Sequence, residues 1–116
     1  MDKPTYDELT DSIVRAGAWE GLTIRITDGI PYILERYETA LIPPIAMWFT
    51  PETLLAYYRR IACDTPRGST TTTWDWWMVL MSTHLGEAMY DLDRVGGPAV
   101  ITIGEYGFTA TPIGVD

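Results

Sequence analysis

Apolar residues recur at steps of three and four in three stretches of the chain, and alternate with polar residues in others. Tyr6, Leu9, Ile13 and Ala16 form the first helical stripe. Thr5 and Glu8 precede it at the S/T-x-x-E spacing of a capping box, and Gly17 marks its expected stop. Leu22, Ile24 and Ile26 then alternate with Thr23, Arg25 and Thr27. Asp28–Gly29 follows with the residues a two-residue type I′ turn requires. The return strand is expected over Ile30–Tyr37, in a register that sets Ile24 against Ile33 and Arg25 against Tyr32. Ile42–Pro43–Pro44–Ile45 is stiff and extended, and Ala46–Phe49 is expected to add a short third strand.

Thr50–Pro51–Glu52 reads as a second helix start: a cap, a proline at the first helical position and an acid in the first turn. Leu54, Leu55, Tyr58, Ile61 and Ala62 supply its buried side, with Tyr57 and Arg59–Arg60 falling partly elsewhere. Residues 64–73 form a loop. The third helix, Trp74 to Val95, carries an unbroken seam: Trp74, Met78, Met81, Leu85, Ala88, Leu92 and Val95. Gly96–Gly97–Pro98 ends it. A last hairpin runs Ala99–Ile103, turn 104–107, and Phe108–Ile113.

This order predicts an α+β fold in one domain over residues 1–116. Three helices pack on a mainly antiparallel sheet of four or five strands, in the order α-β-β-(β)-α-α-β-β. The length agrees, since a chain of 116 residues buries about two thirds of its unfolded surface. At 47% hydrophobic and 21% charged the composition is that of a globular protein, which argues against wholesale disorder.

Charge narrows the partners. Sixteen acids against eight bases give a net charge of −8, unlike the basic balance of nucleic-acid binders. Asparagine and glutamine, the usual readers of adenine, are absent. Duplex mimicry is also disfavoured: DNA carries about 20 charges over the roughly 35 Å width of such a chain. No apolar run approaches the roughly 20 residues that span a bilayer. Nor does a basic region followed by an apolar run open the chain. The expectation is a cytoplasmic protein with no membrane partner and no direct contact to nucleic acid.

The residue inventory is poor in catalytic chemistry. One cysteine, Cys63, and one histidine, His84, exclude an internal disulfide and the common structural zinc sites. The lone lysine, Lys3, stands near the chain start and not in a phosphate-cradling loop. His84 with Glu87 three residues on could act as an oriented base, but no nucleophile motif accompanies it. It reads better as a helix-shoulder histidine paired with a neighbour. Cys63 ends a helix beside Asp64, the reverse of an activating setting, and reads as a small hydrophobe. Asp91 and Asp93 point to different faces. Glu87 and Asp91 share one, but two carboxylates are too few for a hard cation. No catalytic residue, metal or cofactor is expected.

Two features suggest binding instead. Asp7, Glu8 and Asp11 form an acidic cluster suited to a solvated, dipole-matched first turn, or to steering a basic partner. Trp76 projects opposite the third helix's seam with Val79, Leu80 and Thr83, while Trp77 lies on its shoulder. An apolar back face is either buried in the same domain or is an interface. The leading expectation is a small acidic inhibitor or adaptor that binds a protein with a basic surface through Asp7, Glu8, Asp11, Trp76 and Trp77. Phage-encoded inhibitors of bacterial defence, anti-CRISPR proteins included, and toxin-immunity proteins are of this kind. A structural or assembly subunit, such as a viral component or homodimer scaffold, comes second. A carboxylate-only enzyme comes third.

Overall fold

The computed structural model describes residues 3–114. Along the chain run α1 (Tyr6–Trp19), β1 (Leu22–Thr27), β2 (Ile30–Arg36), β3 (Thr39–Ala46), α2 (Pro51–Cys63), α3 (Thr73–Val95), β4 (Ala99–Gly104) and β5 (Gly107–Pro112). The architecture is α+β, as the apolar pattern predicts. Thr5 caps α1 by accepting the Glu8 amide at 3.2 Å, while the Glu8 carboxylate accepts the Thr5 amide at 3.1 Å. Thr50 and Thr72 cap α2 and α3, each accepting an amide at 3.1 Å. Helix α3 ends on left-handed Gly96.

Helix α1 does not stop at Gly17. That residue is buried inside the helix, where a Cβ would stand 2.5 Å from Ile24 Cδ1. Its role is close approach of α1 to β1, and the helix continues to Trp19.

The β1–β2 hairpin has the expected register, Ile24 against Ile33 and Arg25 against Tyr32. Asp28 and Gly29 both take positive φ, 54° and 78°, at its tip. A second tight turn, Tyr37–Glu38, also has positive φ at both residues. The Tyr37 amide donates to the Gly21 carbonyl at 2.8 Å, which holds this turn against the end of α1.

The expected sheet of four or five strands is divided. Among the described residues, β1-β2-β3 form one antiparallel sheet and β4-β5 another. One parallel bridge, Met47 to Ile101, links them, beside the Trp48 amide donating to the Ile101 carbonyl at 2.7 Å. The third strand also lies earlier than Ala46–Phe49. The strand starts at Thr39 because the Tyr37–Glu38 turn reverses the chain there, whereas the division of the sheet lies with two prolines. Pro43 and Pro44 bring no N–H to the outer edge of β3, so no ladder to β4 can extend along it. Beyond Trp48 the chain turns directly into the Thr50 cap.

The core is centred on aromatic rings from two helices. Trp77 of α3 is fully buried. Tyr57 and Tyr58 of α2 meet its ring edge-on, at centroid distances of 5.5 and 5.3 Å. Tyr57, expected to fall partly elsewhere, is therefore a core residue. The Trp77 indole N–H donates to Ser12 Oγ at 2.8 Å, and Ser12 donates to the Leu9 carbonyl at 2.5 Å. A hydroxyl buried in α1 thus satisfies the one polar atom that Trp77 brings inside. At the other end of α3, Asp93 accepts both contacts of Arg36 Nη1, at 2.9 and 3.0 Å, and Asp91 accepts the Ala110 amide at 3.1 Å. These tie α3 to β2 and β5.

Trp77→Ala is expected to cost about 3–5 kcal/mol in urea unfolding. Ser12→Ala should cost about 1–3 kcal/mol, because it orphans the indole N–H. In the double variant the two losses should fall well short of additive. Additive losses would mean that the Ser12–Trp77 bond does not hold the core.

Candidate functional site

Two apolar openings flank Trp48, which none of the sequence patterns singles out. Strand β2 pairs Ile33 with Ile45 and Glu35 with Ala40, so Leu41–Pro44 stand opposite Leu34 alone. The excess residues bulge outward and leave Ile42 91% exposed. Between this bulge and the start of β4 lies a groove of about 590 Å³, lined by Ile42, Pro43, Pro44, Trp48, Pro98 and Ile113 among others. Trp48, 62% exposed, also walls a second cavity of about 500 Å³ on its other side. Ile30, Met47, Phe49 and Ile103 line that cavity, together with Thr50 and Thr53. Among the described residues Asp93 is the only charged one lining either space. Its sequence trace is an absence of charge: residues 39–51, 95–104 and 106–115 contain no Asp, Glu, Lys or Arg.

The residues expected to bind from sequence lie elsewhere and do not converge. Trp77 is in the core, which removes it as a contact residue. Its position on the shoulder of the α3 seam faces it toward α2. Trp76 is partly buried against the core, and its indole nitrogen is inside without a hydrogen-bond partner among the described residues. Of that back face, Val79 is 51% exposed and lines a groove of about 500 Å³ with Trp19, Trp74 and Met78. Glu8 is engaged in the α1 cap, and Asp11 pairs with Arg15 at 3.3 Å. Asp7 is exposed. This end of α1 touches the β1–β2 tip, where the Tyr6 hydroxyl donates to the Gly29 carbonyl at 2.9 Å. Ile30, the next residue, lines the cavity beside Trp48. Tyr6 thus brings the start of α1 to the tip beside Ile30, while Arg15, the partner of Asp11, lines the groove that holds Val79.

His84 is half-buried, and its partner is not Glu87 of its own helix. Its Nδ1 is hydrogen-bonded to the Tyr57 hydroxyl across the α2–α3 contact. Arg60 lies over the Tyr57 ring, 5.1 Å from its centre, and reaches the Gly104 carbonyl at 3.4 Å. Gly107 packs on the imidazole, where a Cβ would come within 3.0 Å of the ring. Burial raises the Tyr57 phenol above its ordinary 10, opposed by Arg60 and aided by Glu87. Burial lowers His84 below its ordinary 6.5, opposed by Glu87 and aided by Arg60. Both groups are therefore held neutral, and the arrangement joins helices to the β4–β5 turn. Cys63, at the end of α2, is exposed and free. Among the described residues no three His, Cys, Asp or Glu side chains gather as a metal-holding group. No described helix is long and apolar enough to cross a membrane.

No protein-family model, curated protein or solved structure matches this chain.

The lowered His84 pKa has a definite sign for stability. The unfolded chain takes up this proton at higher pH than the folded one. The contribution is complete above about pH 6.5 and is lost as pH falls through that value toward the lower folded pKa. Urea unfolding followed from about pH 7.5 to about pH 5.5 should show wild type losing stability faster than His84→Gln. Parallel losses in the two proteins would show that His84 does not contribute.

Proposed function

We propose that this chain is a non-catalytic protein-binding module, an inhibitor or adaptor, that contacts its partner through the uncharged face around Trp48. The observation that carries this reading is convergence: Ile42, Trp48 and Ile113, all large and exposed, line one groove. Exposed apolar side chains scattered singly are ordinary, whereas a contiguous apolar patch marks an interaction site. The aromatic contact that sequence reasoning gave to Trp76 and Trp77 passes in this proposal to Trp48. The acids of α1 keep a steering role, since charges at a rim act mainly on encounter.

A small acidic chain with no assembled catalytic group suits the inhibitor class, such as a phage-encoded inhibitor of bacterial defence or a toxin-immunity protein. Two neutral residues, Tyr57 and His84, locked against each other and a glycine backbone, favour a structural role there over catalysis. An assembly subunit would use the same face toward another copy.

Surface plasmon resonance against a partner isolated on the wild-type chain provides the test. Trp48→Ala should weaken the complex by about 2 kcal/mol or more, roughly thirtyfold, chiefly through faster dissociation. Stability should change by no more than about 1 kcal/mol, because the side chain is mostly exposed. Asp7→Ala with Asp11→Ala should slow association and flatten its salt dependence. Wild-type affinity in Trp48→Ala, with loss in Trp19→Ala, would move the contact to the α1–α3 groove and defeat the proposal.

A further inference from the structure

Resting on that reading, we infer that the Trp48 face takes an apolar segment of another protein flanked by lysines or arginines. The distribution of charge selects such a segment. Strands β3, β4 and β5 carry no charged residue, and neither does the Met47–Thr50 connection that holds Trp48. Among the described residues the one charge lining this face is Asp93, which is paired with Arg36, so nearly all of the net charge of −8 is carried elsewhere. Along the chain its uncharged runs end on Glu38 before β3, Glu52 in the first turn of α2 and Glu105 between β4 and β5, and on Arg94, whose charge is met by Asp91. Asp7 follows Tyr6, whose hydroxyl holds the β1–β2 tip through Gly29.

Three arginines of the surrounding elements are engaged within the chain. Arg36 is paired with Asp93 at 2.9 Å, Arg94 is paired with Asp91, and Arg60 lies over Tyr57. Among the described residues no lysine or arginine lines either cavity beside Trp48. An uncharged centre with an acidic border is complementary to an apolar segment with basic flanks. A second copy of this chain matches the centre but not the border, because it would set like charges against one another. Acidic segments fail for the same reason.

The test is selection of peptides from a random display library on the immobilised full chain. Binding of the enriched peptides is then measured by fluorescence anisotropy at low and physiological salt. Trp48→Ala and Ile42→Asp serve as comparison proteins, and circular dichroism checks their folds. Sedimentation at micromolar concentration reports self-association. The expected result is a monomer that enriches apolar peptides with lysine or arginine flanks. Their affinity should fall with salt, and by roughly tenfold or more in Trp48→Ala. Peptides that need Trp48 but carry acidic or uncharged flanks would overturn the inference and leave the binding face standing. So would a dimer that dissociates in Ile42→Asp. No enrichment, or peptides indifferent to both substitutions, would overturn the face and the inference together.

Discussion

Burying Trp77 sets the terms for the rest of this molecule. An indole brings one N–H that must be satisfied once water is excluded, and the acceptor available is Ser12, inside α1. That bond fixes how α1 and α3 meet. The ring then needs aromatic neighbours, and α2 supplies them through Tyr57 and Tyr58. Tyr57 in turn touches Phe108 edge-on at 5.4 Å, which brings β5 into the same cluster. One side chain thereby ties three helices and the second sheet together.

The remaining surface follows from this arrangement. Once α2 is drawn onto Trp77, the chain has only Met47–Thr50 in which to pass from β3 to the α2 cap. The Met47–Ile101 bridge and the Trp48 amide hold that passage against β4. The main chain of Trp48 is thus fixed while its side chain stays outside. Pro43 and Pro44 keep β3 and β4 from zipping together beyond the bridge, and the opening between them is the apolar groove. The same prolines protect β3 from pairing with strands of other molecules, so the groove can be apolar without an unguarded sheet edge.

Local patterns made much of the fold legible in the sequence. The Thr5/Glu8 box, the Thr50–Pro51 start and the Asp28–Gly29 tip each act within a few residues, and each stands where its chemistry predicts. The features that depend on a distant neighbour were not legible. Gly17 looked like a stop because a glycine's use for close packing shows only when Ile24 is placed beside it. Periodicity assigned Trp76 and Trp77 to a back face and a shoulder, but angle around a helix does not say where the next helix packs. The division of the sheet rests on one bridge between residues far apart in sequence. The candidate site was the least legible part: its signal is a run of uncharged residues, which a buried strand also has, and only the bulge at Leu41–Pro44 turns it outward.

The central claim is that Trp77 is committed to the core while Trp48 meets the partner. Two-dimensional NMR of the indole N–H groups, recorded while a selected peptide is titrated in, tests both halves at once. The account predicts that the Trp48 indole signal shifts or broadens on binding, while the Trp77 signal stays in place and is protected from solvent exchange by its bond to Ser12. A fixed Trp48 signal with movement at Trp19 or Trp76 would contradict it.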